Sequence, residues 1–151
     1  MRRTRFDDAH CPIARTTDLL ADWWTPLVLR QLMFGQRRFD QFASSLDISR
    51  AVLSSRLKRL EDEGIVDKVQ YEERPPRYEY RLTEKGVAAW DVLAAMWRYG
   101  DDWMFDASPG AQVELIDNET GKVVQPQTID ANTGKPLDLT TTRVRLRHSQ
   151  S

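Results

Sequence analysis

The residues with the most chemistry to offer lie together in one run, Ile48-Ser49-Arg50-Ala51-Val52-Leu53-Ser54-Ser55-Arg56-Leu57-Lys58-Arg59-Leu60. Leu53, Leu57 and Leu60 recur four and then three apart, the spacing of an apolar helix stripe. At 3.6 residues per turn, Ala51, Val52, Ser55, Lys58 and Arg59 fall opposite that stripe, with Arg56 on the flank. Small side chains let a helix approach a surface closely, and guanidiniums then reach phosphate oxygens or the guanine edge. The chemistry predicted here is recognition of the DNA major groove, by Ser49, Arg50, Ser55, Arg56 and Arg59. Arg37 and Arg38 stand upstream, suited to the phosphate backbone. Arg74 and Arg77 bracket Pro75-Pro76 downstream, suited to the adjacent backbone or minor groove, although Glu72 and Glu73 beside them oppose it.

A second reactive group is Cys11, the chain's one cysteine, directly before Pro12. Proline favours the first position of a helix, which puts Cys11 at the N-cap. The helix dipole and free N–H groups stabilise a thiolate there, so an oxidant- or electrophile-sensing thiol is one reading and a small buried residue the other. Catalytic signatures are missing. His10 and His148 pair with nothing recognisable, and there is no phosphate-cradling glycine loop and no zinc spacing. The expectation is a protein that is not an enzyme and holds no metal and no cofactor.

Composition agrees with one domain plus an appendage: 151 residues, 40% apolar, 30% charged, formal net charge -1. The charge is unevenly spread. Arg37 to Arg59 holds six bases (Arg37, Arg38, Arg50, Arg56, Lys58, Arg59) against Asp40 and Asp47, a surplus of four. Glu84 to Glu114 reverses the balance. A basic region on an otherwise acidic chain is how a neutral protein binds nucleic acid. A lone cysteine, no signal-type leader and no apolar run near the ~18 residues of a membrane span point to a cytoplasmic protein with no membrane partner.

The elements that must position these residues follow in order. Residues 1–10 read as a flexible arm, whose Arg2, Arg3 and Arg5 are more simply a tail than phosphate contacts. A first helix starts at Pro12, with Ile13, Leu19 and Leu20 on its apolar side. A second runs from a Thr25 cap to Gly35; Trp23 and Trp24 beside it suit a core or a dimer contact. Arg37-Arg38-Phe39 is a very short strand, Phe39–Ala43 a short third helix, and Leu46-Asp47-Ile48 a turn into the helix capped by Ser49 and stopped at Gly64. Two short helices joined by a tight turn form a helix-turn-helix, here without the frequent turn glycine. Strands at Ile65–Tyr71 and Tyr78–Leu82, joined by a stiff turn over 72–77, form a wing. A long helix capped by Thr83 is expected to reach about Phe105. Its band of Val87, Trp90, Leu93, Ala94, Met96, Trp97 and Met104 is too broad for a terminal helix of a small monomer and predicts a two-fold dimer.

Several of these stretches together resemble one family. Cys11-Pro12-Ile13, Trp24-Thr25-Pro26-Leu27-Val28-Leu29, Gly35-Gln36-Arg37-Arg38-Phe39, Ile48 through Leu57, and Pro75-Pro76-Arg77-Tyr78-Glu79-Tyr80-Arg81-Leu82-Thr83-Glu84-Lys85-Gly86 look like the HxlR-type regulators, which are MarR-like winged-helix transcription factors. The resemblance covers about residues 11–105. It implies a homodimer built on the first and last helices, a recognition helix at 49–63 and a wing around 72–77, and it bears on Cys11: several similar members sense quinones or oxidants through a cysteine just before the first helix, while many keep that cysteine with no known signal. The fold class expected is α+β: a winged helix-turn-helix domain over 11–105 with a long C-terminal dimerisation helix, then a small β-hairpin extension over 106–151.

That extension contains a repeat thirteen residues apart, Ile116-Asp117-Asn118-Glu119-Thr120-Gly121-Lys122 and Ile129-Asp130-Ala131-Asn132-Thr133-Gly134-Lys135. It predicts two hairpins, or a meander with strands at Val113–Asp117, Val123–Gln125, Gln127–Asp130 and Thr141–Leu146, then a disordered tail over 147–151. Asp117, Asn118, Glu119, Asp130 and Asn132 suggest calcium, but the spacing lacks the twelve-residue loop with its bidentate glutamate, and ordinary turn chemistry accounts for them better. The expected function is a homodimeric, sequence-specific regulator on a palindromic DNA operator, answering a redox or electrophile signal or a small-molecule effector. The alternative is a winged-helix module for protein or small-molecule binding that does not touch DNA.

Overall fold

Eight elements follow one another in a computed structural model that describes residue 6, residues 10–105 and residues 110–145. They are α1 (Pro12–Leu20), α2 (Thr25–Met33), α3 (Phe39–Leu46), α4 (Arg50–Asp62), β1 (Val66–Glu73), β2 (Pro76–Leu82), α5 (Glu84–Ala88) and α6 (Trp90–Trp103). The arm expected over 1–10, apart from Phe6 and His10, and the tail over 147–151 lie outside the described residues. The chain forms two compact units, Met1–Leu93 and Ala94–Ser151.

In the first unit the core gathers Val28, Leu29 and Leu32 of α2, Phe42 of α3, and Leu53, Leu57 and Leu60 of α4, with Ile65, Val66, Tyr80 and Leu93 around them. The Phe42 ring meets Tyr80 edge-on at 6.3 Å between centroids. Both α2 and α4 end on the glycines that the sequence marks. Gly35 and Gly64 take φ of +94° and +69°. In each case two backbone bonds close the last turn: Gln36 N–H to Gln31 and Gly35 N–H to Leu32, then Ile65 N–H to Leu60 and Gly64 N–H to Glu61. The start of α2 differs from expectation. Thr25 is its first residue, and the cap is the Asp22 carboxylate, which accepts from the Trp24 and Thr25 N–H groups at 2.9 Å each and from the Thr25 hydroxyl at 2.5 Å.

The turn between α3 and α4 needs one left-handed residue. Asp47 supplies it at φ +50° in place of glycine. Ser49 then caps α4, accepting from Val52 N–H at 3.3 Å. Strands β1 and β2 pair antiparallel from Val66 opposite Leu82 to Glu73 opposite Pro76, with a register slip between Gln70 and Glu72. They run longer than expected, so only Arg74 and Pro75 remain as the turn. The short strand expected at 37–39 reduces to one bond, Tyr80 N–H to the Arg37 carbonyl at 2.7 Å.

The single long helix expected from Thr83 is two helices. Thr83 does cap the first, accepting from Gly86 N–H at 3.1 Å. At Ala89 the bonds tighten to three residues back, Ala89 to Gly86 and Val92 to Ala89, and α6 starts anew. In the second unit, α6 continues to Trp103. The tandem repeats there form two matching turns with one bridge each, Ile116 to Val123 and Ile129 to Pro136. The meander is therefore sparser than expected: Thr141–Arg145 carries no strand. In both turns a leading aspartate accepts from the N–H groups that follow. Asp117 Oδ1 takes Glu119 and Thr120, and Asp130 Oδ1 takes Asn132, as expected of turn chemistry.

Candidate nucleic-acid interface

Helix α4 presents three sides. Leu53, Leu57 and Leu60 are buried. Ala51, Ser54, Ser55, Lys58 and Asp62 are exposed one and two turns apart, with Ser49 and Arg50 at the leading end. The third side is Val52, Arg56, Arg59 and Glu63, and it is half-buried. Two residues placed on the outer face by sequence spacing thus lie on this flank. Val52 packs against the core, and Arg59 points back into its own fold.

Each predicted site residue has a definite place. Ser49 and Ser55 are open to solvent. Arg50 is also exposed; it pairs with Asp40 at 2.8 Å and lies 4.7 Å over the Phe39 ring, which ties α4 to α3 at the entry to the helix. Arg38 is exposed, 5.1 Å from the Tyr71 ring centroid at the β1 irregularity. Arg74 stands exposed at the wing turn, and Arg77 beside it pairs with Glu72 at 3.2 Å. Three of the predicted arginines are engaged within the fold. Arg37 donates from Nη1 to the carbonyls of Leu32 at 2.5 Å and Gln36 at 3.0 Å, closing the end of α2. Arg56 donates to Asp22 at 3.0 Å, and Arg59 to the Asp18 carbonyl at 2.6 Å and carboxylate at 3.3 Å.

The structure therefore brings Ser49, Arg50 and Ser55 onto one accessible face with Lys58, which the sequence spacing put on the outer side without assigning it to the site, and with Ser54, which the sequence reading passed over. Ser54 was legible in principle, since it lies four before Lys58 and three after Ala51. Lys58 pairs with Asp62, which raises its ammonium above the ordinary value through that hydrogen bond and the attached charge. On the wing, Lys68 lies 4.6 Å over the Tyr78 ring.

Asp22 is held below the ordinary carboxylate range. Burial pushes it up, but the hydrogen bonds from Thr25 and Trp24 and the charge of Arg56 outweigh that. Cys11 sits at the N-cap of α1, exposed rather than buried. A cavity of about 570 Å³ opens beside Arg59 and Asp18, floored by Leu19, Leu20, Leu29 and Ile65. Among the described residues no cluster of His, Cys, Asp and Glu suits a metal, and no helix is long and apolar enough to cross a membrane.

This geometry, a capped helix offering small and basic residues beside a two-stranded wing, has close parallels. The chain matches the HxlR-like helix-turn-helix family over residues 19–108. It is 35% identical to the HTH-type transcriptional regulator Rv3095 of Mycobacterium tuberculosis, across 83% of this chain and 78% of that one. The solved structure of PA1607, a candidate transcription factor, superposes with a TM-score of 0.85 at 34% identity, over 94% of this chain and 99% of its own. The redox regulator HypR in its reduced form is similar with a TM-score of 0.58 at 29% identity, over 61% of this chain and 92% of its own. The relatives are transcriptional regulators, not enzymes, and the family match spans the helix-turn-helix and the wing: the chain belongs to the HxlR-like helix-turn-helix family.

Proposed function

We propose that the protein is a cytoplasmic, sequence-specific DNA-binding regulator that acts as a homodimer on a palindromic operator. The observation that carries this reading is the exposed α4 face of Ser49, Arg50, Ala51, Ser54, Ser55 and Lys58, which carries small and basic side chains and no large apolar one. Two such helices are expected about 34–36 Å apart to meet successive turns of the duplex. Ser49, Arg50 and Ser55 meet base edges and phosphates in the major groove, Arg38 the backbone, and Arg74 and Arg77 the neighbouring backbone or minor groove. Arg37 supports this surface from beneath.

The test is selection of a duplex from a random-sequence library, followed by binding measurements at several salt concentrations. Arg50→Ala is expected to weaken the selected site by about 1–3 kcal/mol, and Arg74→Ala to lower the salt slope by about one unit. A protein that enriches no sequence is the protein- or small-molecule-binding module instead; one that binds its selected site equally well without Arg50 and Arg74 reads DNA through other residues.

Signal input is proposed at two places. HypR is a redox regulator by name, and here Cys11 is exposed at a helix N-cap. Release of DNA on diamide or quinone treatment by wild type but not by Cys11→Ser supports a thiol signal; equal release by both discards it. The cavity beside Asp18 and Arg59 is the proposed seat of a small-molecule effector.

A further inference from the structure

The half-buried flank of α4 carries an inference that goes past DNA contact. Arg56 Nε lies 3.0 Å from Asp22 Oδ1, with side chains 27% and 11% exposed. Arg59 Nη2 reaches both the Asp18 carbonyl at 2.6 Å and its carboxylate at 3.3 Å, with side chains 23% and 6% exposed. Asp18 is in α1, and Asp22 is in the link from α1 to α2, where it also caps α2. The recognition helix is thus pinned to the first helix and its exit at two points about one turn apart. Its other holds on the fold are the apolar burial of Leu53, Leu57 and Leu60 and, at its first residue, the Arg50 pair with Asp40 of α3, whose side chains are 72% and 85% exposed and which is therefore weak. Apolar burial is non-directional and leaves rotation about the helix axis loosely set, whereas charge-assisted hydrogen bonds fix distance and direction.

We propose that Arg56 and Arg59 are positioning residues: their pairs with Asp22 and Asp18 set the angle at which α4 meets DNA, and a shift of α1 passes to α4 through those two carboxylates. The proposal rests on the reading of α4 as the recognition helix. A phosphate contact and a positioning contact differ in how they respond to salt and to loss of the acidic partner. Removing an arginine that touches phosphate retains one counterion and lowers the salt slope by about one unit. Removing an acid from such an arginine leaves binding intact or tightens it. A positioning pair fails alike whichever partner is lost.

The experiment uses full-length protein and a duplex selected by wild type. Arg56→Gln, Asp22→Asn, Arg59→Gln, Asp18→Asn and the two paired double variants are titrated at several salt concentrations. Asp22→Asn keeps a side-chain oxygen for the Trp24 and Thr25 amides, so α2 stays capped and the lost charge is isolated. Each single variant is expected to lose about tenfold in affinity with the wild-type salt slope, and each double to lose no more than its weaker single. Repeating the selection with Asp22→Asn should return a broader range of half-site spacings. A slope reduced in the arginine variants, with the aspartate variants binding as well as wild type, overturns the proposal and leaves the DNA reading standing. A wild type that selects no duplex removes the DNA reading, and this inference with it.

Discussion

Asp22 serves two helices at once, closing the N-terminus of α2 and holding Arg56 of α4. Both contacts favour the ionised carboxylate, and its folded value lies below the ordinary 3.8. The unfolded chain therefore takes up the proton first on acidification. The stabilisation is complete above the ordinary value and is lost as the pH falls through and below it. Unfolding midpoints measured between pH 6 and pH 3 should drop for wild type and drop less steeply for Asp22→Asn; parallel curves contradict this. Asp47 offers a second test. Held at φ +50°, it has a conformation glycine adopts freely. Asp47→Gly should be neutral or stabilising by up to about 1 kcal/mol, and Asp47→Val destabilising by about 1–2 kcal/mol in denaturant titrations. At this scale the sequence was legible where a residue acts on near neighbours: the Ser49 cap, and the glycines at 35 and 64. It was mute about Arg56 and Arg59. Their acids lie 34 and 41 residues earlier, and a periodicity argument cannot tell a flank that meets another helix from one that meets solvent.

Among the elements, α5 is the tightest fit. A Cβ at Gly86 would stand 2.2 Å from the Ile65 carbonyl oxygen, a backbone atom that cannot swing aside. Thr83 braces the same junction, donating to the Gly64 carbonyl at 2.7 Å. Gly86→Ala should cost about 1–3 kcal/mol, as overpacking does, and loosen the base of the wing. Hydrogen exchange at β1 and β2 reads the second effect, and an alanine variant as stable as wild type would show that the junction yields. The helix-turn-helix and wing could be placed from pattern because their punctuation is local. The Ala89 interruption could not, since the apolar spacing of 84–105 runs through it unbroken. Arg37 stayed ambiguous even though its partners, the Leu32 and Gln36 carbonyls, lie five and one residues away, because an arginine just past a helix can turn back to the last carbonyls or outward to a phosphate.

For the whole molecule, the pressing question is what covers α6. Met96, Tyr99 and Trp103 recur at one-turn intervals and stand 51%, 59% and 74% exposed. Aromatic and methionine side chains in such a row mark the centre of a protein interface. Light scattering on the full chain should give twice the mass of one chain, and Tyr99→Glu with Trp103→Glu should halve it; a wild-type monomer, or an unmoved double variant, removes this helix from any dimer. The extension beyond it was legible as a repeat, though its pairing was overestimated, because the apolar positions Ile116, Val123 and Ile129 remain more than half exposed and bring no packing to lengthen the bridges. The two turns at Asp117 and Asp130 share one consequence. Each loop is closed by its own aspartate and glycine, so it depends on no distant part of the chain. A unit gained or dropped would leave the other loop's own closing bonds in place, so the stretch can lengthen or shorten one finished loop at a time.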